Sequence, residues 1–317
     1  MPSSHRPTIL QIIPELDTGG AELSTCEIAE AVVRAGGRAI VLSAGGRMVD
    51  RLVRCGAEFV AFPAATKNPM KIIANATAIS DLARRERVDL IHARSRAPAW
   101  SGLIAARRLK VAFVTTYHGA YKEANRIKSA YNSVMARGDA VIANSNYTAD
   151  LIRRRYHTPP ERMVVIYRGV DLEAFTRAEV APERIAALRR QWGLNDDTRI
   201  VVNAGRLTEW KGQRQVIDAA RILKGRFQDP VFILAGDSQG RDAYRDELTA
   251  QIAASGLDRV VRLVGHCADM PAAFAAASAA IVASIEPEAF GRAAAEAQAI
   301  GCPVISTNIG APPETVR

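Results

Sequence analysis

The sequence predicts an α/β protein made of two Rossmann-like, doubly wound domains facing a cleft. Three observations carry that expectation. Short β-branched runs alternate with amphipathic or alanine-rich stretches of helical length, the pattern of a parallel sheet covered on both faces. The alternation pauses in a charged connector at residues 177–192 and then starts again. The chain's 317 residues, 48% of them hydrophobic, suffice for two cores of ordinary size.

Strands are expected at residues 8–13, 39–42, 59–61, 90–92, 113–116, 140–143 and 164–166. Helices at 21–35, 69–87, 98–109 and 146–156 lie between most of them, and the connector 177–192 reads as one charged helix. The second series places strands at 200–204, 232–235, 261–264, 280–283 and 304–306, with helices at 213–226, 241–254, 271–277 and 292–300. The domains are set at 1–172 and 173–317. In open α/β sheets ligands bind beyond the carboxyl ends of the strands, so the loops that follow strands are where chemistry is expected.

Composition narrows the function classes. Charged residues are 24% and no low-complexity block stands out, which excludes a disordered chain. The net charge of +9 is uneven: the first 171 residues hold 25 Lys and Arg against 15 Asp and Glu, the remainder 17 against 18. A basic half suits anionic lipid headgroups, an acidic acceptor or nucleic acid, and is equally what arginines on solvated helix faces produce. Nucleic acid is disfavoured, because aromatics are only 6% and do not interleave with the basic clusters. Cys26, Cys55, Cys267 and Cys302 are scattered without metal-ligand spacing, as expected of small buried hydrophobes in a reducing cytoplasm. The N-terminal apolar run is stopped by Pro14 and Glu15, a poor signal peptide, and residues 272–285 are too few to span a bilayer. A soluble, cytoplasmic protein is expected.

Three loops carry candidate chemistry. In "LDTGGAELS", Gly19 and Gly20 allow a tight turn and let backbone amides approach a ligand at a helix N-terminus; an ordinary turn explains them as well. This is no G-x-G-x-x-G dinucleotide fingerprint. In "GRLTEWKGQ", Arg206 and Lys211 stand five residues apart in a glycine-bounded loop before a helix, an arrangement suited to a diphosphate. The Walker pattern is absent, which disfavours a P-loop NTPase. In "EPEAFGRAAAE", Pro287 holds Glu286 extended, Gly291 permits close backbone approach, and a helix begins near Arg292. Glu288 then lies in the loop and Glu296 about one turn into the helix, where carboxylates can accept from vicinal hydroxyls of a ribose or hexose. Glutamates eight apart are by themselves weak evidence.

The ordered set "GGAE", "TYHG", "VIANS", "RGVD", "GRLTEWKG" and "PEAFGRAAAEAQAIGCPVIST" resembles glycosyltransferases of family 4 with the GT-B fold, over essentially the whole chain. The resemblance implies that Arg206 and Lys211 hold the donor diphosphate and that Glu296 binds the ribose. Glu288, with the amides around Ala289, Phe290 and Gly291, would contact the donor sugar. Gly20, next to Gly19, would place an amide near the diphosphate from the opposite domain, and His118 would contact the sugar near the reacting carbon. The base would lie near Gly265 and His266. The implied reaction is retaining and needs no metal or cofactor, and no D-x-D pair of aspartates exists in the sequence. The implied partners are a nucleotide-sugar donor, a saccharide or lipid-linked acceptor of the cell envelope such as lipopolysaccharide, and a peripheral, anionic membrane surface. Two departures stand out. Arg292 replaces an aliphatic residue of many relatives, and could meet the diphosphate, an acidic sugar or solvent. Relatives continue beyond "GAPPETVR", so the second domain is expected to be incomplete at its end. The competing readings are a catalytically impaired nucleotide-sugar-binding protein and a GT-B sugar-nucleotide epimerase.

Overall fold

Seven parallel strands form the first sheet of the computed structural model, which describes residues 6–17, 19–121, 125–226, 230–240 and 242–316. In chain order the elements are β1 (Thr8–Ile12), α1 (Gly20–Arg34), β2 (Arg38–Ser43), α2 (Val49–Arg54), β3 (Glu58–Ala61), α3 (Pro69–Arg85) and β4 (Leu90–Ala93). They continue as α4 (Arg96–Leu109), β5 (Ala112–Tyr117), α5 (Arg126–Asn132), β6 (Ala140–Ala143), α6 (Asn146–Tyr156) and β7 (Met163–Val165). The strand order β3-β2-β1-β4-β5-β6-β7 places the switch in winding direction between β1 and β4. Leu10, Ile12, Ile40, Leu42, Ile91 and Phe113 are fully buried in one cluster. Burying each such side chain contributes roughly 1.5–3 kcal/mol. Coverage on both faces is why these strands read as continuous apolar runs.

Helix ends follow local chemistry. Asn68 caps α3 by accepting from the amides of Met70 and Lys71, and Pro69 occupies the first helical position. This helix stops at Arg85 rather than at 87, because Arg87 takes a left-handed conformation with φ 52°. Ser145 caps α6 through the Thr148 amide.

The second sheet has five parallel strands in the order β10-β9-β8-β11-β12. Its elements are α7 (Pro182–Gln191), β8 (Ile200–Ala204), α8 (Gln213–Leu223), β9 (Val231–Ala235), α9 (Asp242–Ala254) and β10 (Val261–Gly265). Then come α10 (Met270–Ala276), β11 (Ala279–Val282), α11 (Arg292–Ala299), β12 (Val304–Ser306) and α12 (Pro312–Thr315). The connector corrects the single helix expected at 177–192. A 3₁₀ turn at Arg177–Glu179 precedes α7, since Pro182 holds Ala181 extended at ψ 138°. Position 241, the expected start of a helix, lies outside the described residues.

The chain divides into two compact units, Met1–Tyr167 and Arg168–Arg317, so residues 168–172 group with the second. All four cysteines are free thiols; Cys26 and Cys302 are buried, Cys55 and Cys267 only partly. Burial pushes the Cys26 thiol up to about 11. No helix among the described residues is long and apolar enough to cross a membrane.

Candidate active site

In the second unit, β8 and β11 are neighbours at the point where winding reverses. Their ladder contains only Val201 with Ala279 and Val202 with Ala280. Past that point the two chains lead into the loops 205–212 and 283–291, and a pocket opens between them. Asn203, Lys211, Ser284, Glu288, Gly291 and Ala293 are among its lining residues. It lies where an open parallel sheet is expected to bind its ligand.

A cation and a carboxylate meet in this pocket. The Lys211 ammonium donates to Glu288 Oε1 at 2.5 Å, and the Ser284 hydroxyl donates to the same oxygen at 2.6 Å. The side chains of Lys211 and Glu288 are only 20% and 8% exposed. Lys211 Nζ also stands 4.4 Å from the centre of the Trp210 ring, a cation–π contact. The backbone of Glu288 is held as firmly as its side chain. It makes a parallel bridge with Gly310, and the Ala311 amide donates to the Glu288 carbonyl at 2.9 Å. A Cβ on Gly310, whose φ is +84°, would collide with the Glu288 backbone.

Arg206 does not converge with Lys211 here. Its guanidinium reaches Gln239 Oε1 at 3.4 Å from an exposed position. Its backbone is fixed instead: buried Gln213 donates to the Arg206 carbonyl at 3.0 Å and accepts from the Tyr244 hydroxyl at 3.3 Å. Gly212, at φ +72°, lets this loop lie directly against the Ala283 carbonyl, where no side chain fits.

The third loop enters α11 through Gly291, a left-handed cap at φ 83°, with Ala289 and Phe290 buried behind it. The first-turn amides of a helix have no carbonyl partner within it, so this positive end beside the pocket suits an anion. Arg292 does not point to solvent. It pairs with Glu296 at 2.7 Å, one turn apart on α11, with both side chains 13% exposed. Gly265, at φ +69°, is the last residue of β10 and exposed His266 follows it; the Gly265 carbonyl accepts from the Gly236 amide in the loop after β9.

In the first unit, His118 follows β5 and is partly buried. The expected tight turn at Gly19 and Gly20 is corrected: Gly19 is an extended cap at φ 160°, and Gly20 is the first residue of α1. A Cβ on Gly19 would meet only the flexible end of the Glu22 side chain, so neither φ nor backbone crowding demands glycine there. Nearby, His92 Nε2 lies 2.8 Å from the Thr116 hydroxyl, and Arg94 donates to Ser24 at 2.5 Å and to Thr116 at 3.3 Å. Burial and the Arg94 charge hold the His92 imidazole well below its ordinary value, hence neutral.

Sequence reasoning missed Asn203, Gln213, Ser284 and Gly310. A readable signal existed for two of them. Asn203 interrupts an apolar strand, and Ser284 ends one directly before "IEPE".

Residues 18–174 match the model for Glycosyltransferase Family 4, and residues 184–317 that for Glycosyl transferases group 1. A glycosyltransferase from Rickettsia africae ESF-5 is 34% identical and aligns with a TM-score of 0.85, over 96% of this chain and 80% of that one. HepE of Anabaena, solved in complex with UDP and glucose, aligns with a TM-score of 0.86 at 28% identity, over 98% and 83%. The D-inositol 3-phosphate glycosyltransferase of Jonesia denitrificans is 30% identical over 243 residues, 70% of this chain and 56% of that protein. The chain thus spans just over half the length of that curated relative. Matched in both units, and sharing the two parallel sheets of its structural relatives, the chain belongs to the family 4, group 1 glycosyltransferases of the GT-B fold.

Proposed function

We propose that this protein transfers a hexose-type sugar from a nucleoside-diphosphate sugar to a saccharide hydroxyl, with retention of anomeric configuration and without a metal ion. The observation that carries the reading is the Lys211–Glu288–Ser284 contact beside the N-terminus of α11. It joins a phosphate-binding cation to a hydroxyl-binding carboxylate at the switch point of one sheet. In the reaction the bond from the anomeric carbon to the diphosphate oxygen breaks, its electron pair stays on the diphosphate, and the acceptor oxygen bonds to the anomeric carbon. The acceptor's proton leaves with the diphosphate. Lys211 and the first amides of α11 take up the charge that develops on the leaving group, a fixed electrostatic contribution, and the exposed Arg206 guanidinium joins them by leaving Gln239 for the diphosphate. Glu288 accepts from the sugar hydroxyls and Glu296 from the ribose. Gly20 and His118 keep the donor contacts that the family resemblance implies.

For the acceptor, a lipid-linked or cell-envelope saccharide at an anionic membrane surface fits the basic first half of the chain. A phosphorylated polyol fits the same charge, and the name of the Jonesia relative favours it. The decisive assay follows release of nucleoside diphosphate from UDP-, GDP- and ADP-sugars, with either acceptor class, with and without EDTA. Turnover that survives EDTA is expected; its complete loss overturns the metal-free reading. Binding without turnover points to an impaired binding protein, and interconversion of the donor without acceptor points to an epimerase. Flotation with anionic against neutral vesicles tests the membrane surface, and equal recovery removes it.

The division between the glutamates is tested by affinity. Glu296→Ala should weaken free nucleoside diphosphate about tenfold or more, the worth of one or two charge-assisted hydrogen bonds. Glu288→Ala should weaken the intact donor more than the free nucleotide. Equal losses of free nucleotide in both proteins contradict the assignment.

A further inference from the structure

Asn203 lies on β8 and is 4% exposed, an amide within a sheet whose neighbouring side chains are apolar. Such a group is costly unless its hydrogen bonds are made. Half of them are made. Its Nδ2 donates to the Ile281 carbonyl on β11 at 2.8 Å, one residue beyond the last ladder pair of Val202 with Ala280. The side chain therefore continues the β8–β11 connection where the backbone ladder ends. Its Oδ1 is buried and accepts from no group among the described residues. The same side chain lines, with Lys211, Ser284 and Glu288, a polar cavity of about 10 Å³. That is close to the smallest space in which one water can be ordered, and a buried water needs two to four polar partners.

We infer that this cavity holds a single ordered water and that Asn203 is a positioning residue for Lys211. The water accepts from the Lys211 ammonium and donates to Asn203 Oδ1 and to the Ser284 oxygen, which is free to accept because its own proton goes to Glu288. All partners are then satisfied. An ammonium has three N–H groups. Glu288 takes one and the water a second, so the third is aimed at a single direction. That third proton is the one offered to a donor phosphate, and this step rests on the function proposed above.

Two measurements test the inference. A crystal structure with well-ordered solvent should show a water within hydrogen-bonding distance of Asn203 Oδ1 and Lys211 Nζ; a dry cavity overturns the assignment whatever the enzyme does. Titration with free nucleoside diphosphate gives the second. Asn203→Leu, which removes both polar groups at similar volume, should weaken binding about tenfold in the otherwise unchanged protein. In a Lys211→Met background the same substitution should change affinity less than twofold, because the group it acts through is gone. An equal loss in both backgrounds marks a merely structural residue and overturns the positioning role. If Asn203→Leu fails to fold, as its thermal unfolding will reveal, the crystallographic water alone decides. Failure of the unchanged protein to bind any nucleoside diphosphate removes the function reading and leaves the water site to stand or fall on its density.

Discussion

The two units hold their charges in different ways. In the first, cations outnumber acids and the ion pairs are mostly peripheral; Arg153 and Asp150 on α6, for instance, are 50% and 53% exposed. Its buried cation, Arg94, donates to the hydroxyls of Ser24 and Thr116 beside a neutral His92. In the second, charges nearly balance, and two ion pairs around the pocket are largely withdrawn from water, Lys211 with Glu288 and Arg292 with Glu296. An exposed pair exchanges water for a partner at little gain, whereas removing one member of a buried pair strands a charge. The second unit therefore keeps its pocket charges pre-set against each other. A ligand there must share or displace an existing partner, and the groups are held at defined positions before it arrives.

The largest expected effect breaks the buried pair. Lys211→Met should lower unfolding free energy by about 3 kcal/mol, because Glu288 is left charged in a nearly buried place. It should also lower transfer about a hundredfold or more, the scale of losing one leaving-group stabiliser. Adding Glu288→Gln should restore most of the stability, read by urea unfolding, and none of the activity. If stability is not restored, the pair is not what holds the pocket.

The same contrast sets what was legible in the sequence. Runs such as 140–143, 200–204 and 304–306 became strands with those bounds, because short apolar runs rich in β-branched residues and flanked by turn residues read as strands whether central or, like 304–306, at the sheet edge. The helices α2 and α5 went unread; six or seven residues are too few to show a period. At the site, the loops were legible because glycine and charge at strand ends are local signals; the pairing of Arg292 with Glu296 went unread, although its i,i+4 spacing is a local signal too. Lys211 and Glu288 are 77 residues apart, so no spacing could join them. Asn203 meets Ile281 across the sheet and Gln213 meets Tyr244 on α9, contacts between distant positions, while Ser284 reaches Glu288 only through the folded shape of their loop. Gly310 is needed for the Glu288 backbone that lies against it, a steric reason that no turn motif announces.

A smaller effect sharpens the picture of the first unit. His92 is kept neutral by burial first and by Arg94 second. The unfolded chain takes up its proton near the ordinary histidine value, while the folded protein does so only at much lower pH. Stability is therefore lost as pH falls below about 6.5, by up to about 1.4 kcal/mol per pH unit from this residue. His92→Gln keeps a group able to meet Thr116 and cannot titrate. Between about pH 7.5 and about pH 5.5 it should lose less stability than the unchanged protein. Parallel pH profiles would mean that folding leaves the proton affinity of the imidazole unchanged.

The smallest effect is expected at the exposed pair. Arg153 donates to Asp150 at 2.6 Å across one turn of α6, and the side chains of both are about half in water. Holding two long side chains together there gains little over solvation, about 0.5 kcal/mol at most. Arg153→Ala should shift urea unfolding by no more than that, and raising the salt concentration should erase the difference. The measurement bears on the contrast because this bond is nearly as short as that between Lys211 and Glu288. Should Arg153→Ala cost as much as Lys211→Met, then length rather than burial sets the worth of an ion pair here, and the second unit's pairs have no special claim to organise its site.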